Sequence, residues 1–301
     1  MTKENKNAIN SGSLGKKKLK QKTIITAALT GAGGSKANNP NTPITPEEIA
    51  ADAIACAKAG AAVVHLHMKA DDGVTPSMDV EKFRRAQELI QKESDVIINM
   101  TTSGEQYKVE DTIVQGSLTT DDPSRSGVLE LKPEIATLDI PTINFGQAVF
   151  VNTISFIKDL AKKMEEADVK PELEIFDFGD IEQVKYLIKE GTLKGSLHFQ
   201  FCLGIRGGAP ADPVLLAEMV RRLPEGDHTW SCFGVSTGHL PIMYTALALD
   251  GHVRVGLEDN LYYERGVQAS NVSLVERAAK AIELYGNNVA TPDEARELLN
   301  L

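Results

Sequence analysis

Hydrophobic and polar positions alternate in two different rhythms along the chain from residue 23 onward. Short apolar runs rich in β-branched residues are followed by stretches with the spacing of amphipathic helices. This alternation is typical of a parallel sheet whose strands are joined by helical crossovers. Eight runs are predicted as strands, at residues 24–30, 62–67, 96–102, 135–140, 172–178, 197–203, 229–235 and 252–258.

Helical patterns fill most of the intervals between these strands. Thr45-Pro46-Glu47-Glu48 begins one helix, with a threonine N-cap and a proline in the first turn. Five more helices are predicted at residues 78–92, 154–166, 181–189, 212–222 and 270–285. We therefore predict an α/β fold, a (β/α)₈ TIM barrel with a C-terminal helical appendage after Thr291-Pro292-Asp293-Glu294. Residues 103–132 are polar and irregular, and they interrupt the pattern.

The first 22 residues differ in composition from the rest of the chain. Asn, Ser, Gly and Lys dominate, and Lys16-Lys17-Lys18-Leu19-Lys20 carries most of the charge. No apolar segment follows that would make it a signal peptide. We predict a flexible basic tail over residues 1–22 and a catalytic domain over residues 23–301. The alternative for the basic run is contact with an anionic surface.

Composition limits the classes of function. With 301 residues and 42% hydrophobic content, the chain can bury one sizeable core. The formal charge of -10 argues against nucleic-acid binding, which needs a basic surface. No stretch has the apolar length of a membrane span, so we expect a cytoplasmic protein. The three cysteines are far apart and suggest neither a disulfide framework nor a cysteine zinc site.

His65-Leu66-His67 ends the second predicted strand. Because side chains alternate along a strand, both imidazoles point to one face and Leu66 to the other. Two histidines supply half of a tetrahedral metal shell, and Glu258 is the best candidate for a third ligand. The alternative is that each histidine is simply hydrogen-bonded.

Other polar side chains also lie within or near the ends of predicted strands. In a (β/α)₈ barrel these ends form the active-site mouth, whereas the interior is normally filled by branched aliphatic side chains. Buried carboxylates without cationic partners are disfavoured, so together these residues indicate a site. They are His65, His67, Thr101, Thr102, Thr137, Asp139, Glu174 and Glu258.

With these residues the chain resembles the β-keto acid cleavage enzymes, the family that includes the 3-keto-5-aminohexanoate cleavage enzymes. Order and spacing make the match specific, from residue 24 to residue 299. The matching stretches are Ile25-Thr26-Ala27-Ala28-Leu29-Thr30-Gly31-Ala32, Pro43-Ile44-Thr45-Pro46-Glu47-Glu48, His65-Leu66-His67, Asp72-Gly73, Leu131-Lys132-Pro133-Glu134, Asn144-Phe145-Gly146 and Gly256-Leu257-Glu258-Asp259-Asn260.

The resemblance implies a zinc-dependent barrel enzyme that converts a β-keto acid and acetyl-CoA into acetoacetate and a new acyl-CoA. It implies that His65, His67 and Glu258 hold Zn²⁺, which would acidify the CH₂ between the carboxylate and the ketone. Asp259 matches the family's general base, with Arg254 and Thr101 as its partners. The alternative for Asp259 is an ordinary helix N-cap.

The implied reaction runs through deprotonation at C2, attack on the acetyl-CoA thioester, transfer of CoA to the former ketone, and retro-Claisen cleavage. Glu174 resembles a carboxylate beneath the site that could orient Arg254 or a ligand histidine. The positions expected on the substrate side are Thr102, Gly104, Thr137, Asn144 and Gly33. A structural role for Asn144, in a turn, is the alternative.

The chain departs from the family pattern at several positions. Family members that act on an amino-substituted keto acid carry a glutamate where this chain has Gly33. A family arginine is Lys69, a family asparagine is Asp139, and a family serine is Thr101. Without a carboxylate at position 33, we expect 3-oxo acids with an uncharged side chain as substrates. A dicarboxylic keto acid that reaches Lys36 or Arg206 is the second choice.

The loop Gly204-Ile205-Arg206-Gly207-Gly208-Ala209-Pro210 follows the sixth predicted strand. Its backbone amides could approach the CoA pyrophosphate, and Arg206, Gly207 and Gly208 are the predicted contacts. It lacks the spacing of a known dinucleotide or phosphate loop, so a merely flexible loop is the alternative.

Two other functions fit the same residues. A metal-dependent aldolase or decarboxylase would use the metal without CoA. A metal or small-anion binding protein would have kept the metal ligands but would catalyse no reaction. Asp259 and Arg254 argue against the second. The family resemblance also suggests a homo-oligomer, a tetramer.

Overall fold

Eight parallel strands close into a barrel in the computed structural model, which describes residues 21–301. In chain order they are β1 (Ile25–Ala28), β2 (Val63–Leu66), β3 (Ile97–Met100), β4 (Ile135–Asp139), β5 (Lys170–Ile175), β6 (His198–Leu203), β7 (Thr229–Gly234) and β8 (His252–Val255). Each strand pairs with its neighbour in sequence, and β8 pairs with β1 through Arg254 opposite Thr26. The predicted (β/α)₈ barrel is confirmed, strand by strand.

Helices surround the barrel between most of its strands. They are α1 (Pro46–Ala59), α2 (Val80–Glu93), α3 (Pro123–Ser126), α4 (Ile154–Ala167), α5 (Phe178–Lys189), α6 (Pro213–Arg221), α7 (His239–Ala248), α8 (Asn271–Tyr285) and α9 (Pro292–Leu299). Thr45 caps α1 through a capping box with Glu48, as its sequence predicts. The hydrophobic pattern does not predict α7, because this segment is apolar on nearly all sides and shows no amphipathic stripe.

The predicted fifth strand extends too far toward the C-terminus. The strand ends at Ile175, because the carboxylate of Asp177 accepts a hydrogen bond from the backbone N–H of Phe178 and caps α5 there. Phe178 is therefore the first residue of a helix.

The irregular segment 103–132 contains regular structure that its pattern did not reveal. Gln106–Val109 and Thr112–Ser117 join Ile143–Phe145 and Ala148–Asn152 in a four-stranded sheet, here called the accessory sheet. The short helix α3 and a 3₁₀ helix at Gly127–Leu131 complete the segment. The strand at Ala148–Asn152 pairs in parallel with Thr112–Ser117, a partner distant in sequence, so local periodicity could not predict the sheet.

One end of the barrel is closed by a helix. At the amino ends of the strands, α9 packs its Ala295 and Leu299 against Ile24, Ile97 and Ile135, so the predicted appendage closes this end.

Among the described residues, three short strand pairs lie outside the barrel: Lys22–Thr23 with Asn288–Val289, Met68–Lys69 with Pro76–Ser77, and Tyr262–Glu264 with Val267–Gln268.

The predicted tail, residues 1–22, falls almost wholly outside the described residues, since residues 1–20 lie outside them. Within residues 21–301, no helix is both long and apolar enough to cross a membrane.

The barrel interior is polar, contrary to the general expectation of branched aliphatic filling. Asn99 donates from Nδ2 to Glu172 Oε1 at 2.7 Å, and Glu172 Oε2 lies 3.5 Å from His198 Nε2. Ser231 donates to Gln200 within the same layer. These side chains are buried, so the mutual hydrogen bonds offset the cost of removing them from water. The apolar core lies instead between the barrel and the helices.

Candidate active site

The predicted metal ligands come together at the carboxyl ends of β2 and β8. His65 Nε2 lies 3.6 Å from Glu258 Oε2, and His67 Nε2 lies 3.4 Å from Glu258 Oε1. One ligand atom of each of the three residues lies within 4.8 Å of the other two. Both imidazoles are buried and face the same side of β2, as the period of two requires.

Two glycines make room for Glu258. Gly256 directly follows β8 and has a φ of 149°. A Cβ atom there would collide with the carbonyl oxygen of Ala28 on β1. A Cβ atom on Gly31 would collide with the side chain of Glu258. The chain therefore turns sharply after β8, and the backbone N–H of Asn260 donates to the carbonyl of Gly256 at 2.9 Å. This turn delivers Glu258 and Asp259 to the mouth of the barrel.

The donor set fits a divalent metal ion. Two imidazoles and one carboxylate are a common three-ligand set that leaves a fourth position open for substrate. Burial lowers the pKa of His65 to about 4, which keeps the imidazole neutral and able to act as a ligand. Burial alone would raise the pKa of Glu258, but Arg254 and the two histidines hold it well below its usual range. Glu258 Oε2 has no hydrogen-bond partner among the described residues, so it is available to a metal ion.

Arg254 joins three carboxylates around this triad. Its Nε and Nη2 donate to Asp259 Oδ2 and Oδ1, both at 3.0 Å, and its Nη1 donates to Glu174 Oε1 at 3.1 Å. Nη2 also lies 2.9 Å from Glu258 Oε1. The guanidinium rests on the ring of Phe233, with Cζ 4.6 Å from the ring centroid. Burial opposes the charge of Arg254, but the three carboxylates raise its pKa well above the usual range.

Asp259 has the properties of a poised base. Its side chain is only 3% exposed, and burial raises its pKa to about 6, with Glu258 adding to the rise and Arg254 opposing it. A carboxylate with a pKa near the working pH can both accept and return a proton. Asp259 lies in the turn after β8 and does not cap a helix.

A second acid pair, Asp139 and Glu174, lies on the neighbouring strands β4 and β5. The two residues are register partners, and burial followed by the charge of Asp139 raises the pKa of Glu174 well above its usual range. Burial also raises the pKa of Asp139, against the opposing charge of Arg125. The pair therefore holds a proton more readily than ordinary carboxylates do.

Arg125, on α3, is a site residue that sequence reasoning missed. It is fully buried, with Nη2 3.6 Å from Asp139 Oδ2 and 2.8 Å from Asn152 Oδ1. Its Nε donates to the carbonyl of Thr102 at 2.5 Å, and Cζ lies 4.0 Å from the ring centroid of Phe156. Arg125 thus ties the accessory sheet to the ends of β3 and β4. No local signal marked it, since α3 lies in the segment whose pattern was irregular.

A cavity of about 350 Å³ opens above His65, His67 and Glu258. An apolar wall, which the sequence did not predict, forms much of its surface. That wall consists of Phe145, Phe150, Phe176, Ile205, Phe233 and Val235. The predicted residues that line the cavity are Gly33, His65, His67, Thr101, Thr137, Asp139, Glu174, Arg206, Arg254, Glu258 and Asp259.

Other predicted residues lie behind this surface or beside it. Thr102 is buried and bonds to Thr137 through its N–H and its hydroxyl, so it positions Thr137. Gly104 packs against the side chain of Arg125. Asn144 is exposed on the accessory sheet. A Cβ atom on Gly207 would collide with the carbonyl of Asn144, so close packing already accounts for this glycine.

Gly208 is packed in the same way, because a Cβ atom there would meet the carbonyl oxygen of Phe176 at 2.7 Å. Of the three loop residues predicted to contact CoA, Arg206 lines the cavity. Lys36 pairs with Glu48 outside the cavity.

Position 33 is open toward the cavity. A Cβ atom built on Gly33 would have no heavy atom within 4 Å, so a larger side chain fits there. The loop that carries Gly33 is held by Lys69, which is 2% exposed and donates from Nζ to the carbonyl of Ala32 at 2.6 Å. Lys69, one of the departures noted in the sequence, thus supports the loop beside the cavity.

The chain is similar to known proteins over most of its length. A sequence model described as "beta-keto acid cleavage enzyme" matches residues 22–301. The 3-keto-5-aminohexanoate cleavage enzyme of Fusobacterium nucleatum subsp. nucleatum is 42% identical over 285 residues, or 93% of this chain and 98% of that protein. The 3-oxoadipate:acetyl-CoA acetyltransferase of Cupriavidus necator is 36% identical over 285 residues, or 93% of this chain and 95% of that protein.

Among solved structures, apo ObcA aligns with a TM-score of 0.71 at 19% identity, covering 87% of this chain and 66% of that chain. At this identity the likeness concerns the fold, which is the barrel described above. The full-length match to the family, together with two relatives well above 30% identity, shows that the chain belongs to the beta-keto acid cleavage enzymes.

Proposed function

We propose that this protein uses acetyl-CoA to cleave a β-keto acid, in a zinc-dependent reaction that yields acetoacetate and a new acyl-CoA. One observation carries the proposal: the His65, His67 and Glu258 triad shares a cavity with Asp259, a base held by Arg254. Relatives named as a keto acid cleavage enzyme and as an acetyl-CoA acetyltransferase support the same reaction class.

A zinc ion held by His65, His67 and Glu258 would polarise the substrate's carboxylate and ketone oxygens and so acidify the CH₂ between them. Asp259 then takes the C2 proton. Arg254 holds both carboxylate oxygens of Asp259, so the base cannot rotate away from the substrate. Glu174 anchors Arg254 from the other side. The hydroxyl of Thr101 at the cavity wall can hydrogen-bond a substrate oxygen.

The bonds balance without a redox cofactor. The C2 carbanion attacks the acetyl carbonyl of acetyl-CoA, which forms a C–C bond and releases CoA thiolate. The thiolate adds to the former ketone carbon, and the bond between that carbon and C2 breaks. The carbanion left on the acetoacetate fragment takes back a proton from Asp259, and the other fragment leaves as the new acyl-CoA.

The pocket favours a substrate with an uncharged side chain. Gly33 supplies no carboxylate, and the phenylalanine wall offers apolar surface to a short alkyl chain. The acidic side chains of Asp139, Glu174 and Asp259, which also line the cavity, offer no positive charge to pair with a second substrate carboxylate. A dicarboxylic acid would need Arg206 as its partner and is the second choice.

A screen tests the proposal directly. The purified protein is incubated with acetyl-CoA and a panel of β-keto acids, and acyl-CoA products are identified by mass spectrometry. We expect acetoacetate and one new acyl-CoA in equal amounts, both dependent on acetyl-CoA. Consumption of a keto acid without acetyl-CoA would identify an aldolase or decarboxylase instead. The tetrameric assembly and the cytoplasmic location remain predictions, the first of which light scattering on the purified protein will test.

A further inference from the structure

A second, larger groove lies next to the catalytic cavity. Its volume is about 950 Å³, near the upper end of the roughly 300–1,000 Å³ typical of ligand clefts. The loops after β7 and β8 form its walls, and Val235 and Asp259 line both the groove and the catalytic cavity. A molecule in this groove could therefore extend one end to the reacting atoms.

His239, at the start of α7, presents an unused hydrogen-bond donor in this groove. Asn260 Oδ1 accepts from the backbone N–H of Ser236, which fixes its amide so that Nδ2 donates to His239 Nδ1 at 2.9 Å. The proton of the neutral imidazole must then reside on Nε2. His239 is 6% exposed, and Nε2 has no partner within the described part of the chain. A buried donor left unpaired is costly, which indicates an acceptor supplied by a ligand.

Arg277, on α8, gives a second and independent sign. Its Nε and Nη2 are buried without a hydrogen-bond partner among residues 21–301, while Nη1 donates to the carbonyl of Tyr263 at 2.5 Å. The ring of Tyr263 covers the guanidinium at 4.3 Å. Tyr263 belongs to the exposed hairpin formed by Tyr262–Glu264 and Val267–Gln268, whose tip carries Arg265. A shift of this hairpin would open Arg277 to an anion.

The groove also has the electrostatics of an anion site. α7 begins at its edge with no side-chain N-cap, so the positive end of the helix dipole is uncompensated. Two arginines, Arg265 and Arg277, line the groove together with the carboxylates of Glu264 and Asp259. Arg254 already pairs with Asp259, so Glu264 alone opposes the two arginines. In (β/α)₈ barrels, phosphate groups are frequently bound by the loops after strands 7 and 8.

We propose that this groove binds the phosphate-bearing nucleotide part of acetyl-CoA, with Arg265 and Arg277 as its phosphate contacts. The acyl arm then passes Val235 to reach Asp259, and His239 donates to a carbonyl of that arm. This inference rests on the proposed function, which makes acetyl-CoA the second substrate. The nucleotide then lies in this groove and not at the loop with Gly207 and Gly208, where protein backbone already fills the space beside the glycines.

The test compares two thioesters on three variants. S-acetylpantetheine carries the acyl arm without the nucleotide, so the proposal predicts that only acetyl-CoA depends on the arginines. In Arg265→Gln and Arg277→Gln, we expect the KM for acetyl-CoA to rise at least tenfold, and the Kd of CoA by calorimetry to rise equally. The kcat/KM for S-acetylpantetheine should stay within threefold. Arg221→Gln, on the outer face of α6, is the matched control and should change neither value.

The outcomes separate this inference from the proposed function. If both variants keep the CoA affinity and the turnover of the parent, the groove does not bind the nucleotide, and the proposed function is unaffected. Absence of acetyl-CoA turnover in the unmodified protein, with CoA binding that still depends on Arg265 and Arg277, would overturn the function and support the groove. If the variants lower the oligomeric mass without changing CoA affinity, the hairpin is an interface between copies of this chain, and the proposal is wrong.

Discussion

Arg254 and Asp259 face each other through two parallel hydrogen bonds, Nε to Oδ2 and Nη2 to Oδ1, both 3.0 Å long. They are five residues apart, and the turn between them carries Glu258. A bidentate pair of this kind fixes the plane of the carboxylate as well as its position. The proposed base and the proposed third metal ligand are thus held by one arginine at the end of one strand.

The first prediction concerns the metal. Protein purified without added metal should contain about one divalent transition ion per chain by elemental analysis. His67→Ala should lose it, because two ligands remain where three are needed. His228→Ala, a half-buried histidine outside the triad, is the control and should retain the ion. Full retention in His65→Ala, His67→Ala and Glu258→Ala would show that the metal lies elsewhere.

The second prediction concerns the base. Asp259→Asn keeps the shape of the side chain but cannot accept the C2 proton. We expect kcat to fall by about 10²–10⁴-fold, the usual contribution of general-base catalysis, with metal content unchanged. Asp71→Asn, at a fully exposed carboxylate, should leave kcat as it is. A kcat within a few-fold of the parent for Asp259→Asn would assign the base to another residue.

The third prediction concerns substrate choice at Gly33. We expect kcat/KM to be higher for 3-oxohexanoate than for 3-oxoadipate or 3-keto-5-aminohexanoate at the same acetyl-CoA concentration. Gly33→Glu should raise the activity ratio of the amino substrate to 3-oxohexanoate, because the open space at position 33 accepts a side chain that pairs with the ammonium. If the amino substrate is already the best, Asp139 supplies the counter-charge and our interpretation of Gly33 is wrong.

The fourth prediction concerns the buried pair of Arg125 and Asp139. Arg125→Met leaves Asp139 buried without its cation, and losing one partner of such a pair costs about 3–5 kcal/mol of unfolding free energy. Urea titration will measure the loss. The double variant Arg125→Met/Asp139→Asn should recover part of it, because the unpaired charge is gone. Arg84→Met, on the exposed face of α2, should change stability by less than about 0.5 kcal/mol.

The fifth prediction concerns stability at acid pH. Burial lowers the pKa of His252 to about 3, with the charge of His198 adding to the effect, and its Nδ1 accepts a hydrogen bond from the backbone N–H of Ile24. The unfolded chain, with a histidine pKa of about 6.5, binds the proton first. The contribution of neutral His252 to the unfolding free energy is therefore fully present above pH 6.5 and is lost as the pH falls toward 3.

His252→Asn removes this titration and should make the decline of the unfolding free energy between pH 7.5 and 5 less steep, while His65, whose pKa burial also lowers, keeps its own share of the decline. The expected difference from the parent at pH 5 is about 2 kcal/mol, which is 1.5 pH units at about 1.4 kcal/mol each. Parallel profiles for the two proteins would contradict the assignment of the acid sensitivity to His252.

Local pattern was enough to predict most of the fold. All eight predicted strands belong to the barrel, because apolar runs bounded by turn residues report burial on both faces. The period of two placed His65 and His67 on one face, and the capping pattern at Thr45 marked the start of α1. α7 was missed, since a helix that is apolar on all sides has no periodicity to detect.

The sequence by itself determined the strands and the helix caps, because these depend on neighbours in the chain, and with the family motifs it predicted the triad and its base. Only the tertiary structure decided what faces them. Arg125 meets Asp139 from α3. Phe145 reaches the cavity on an accessory sheet that pairs segments distant in sequence. Periodicity tells which face of an element is buried, but it carries no information about which distant side chain lies opposite.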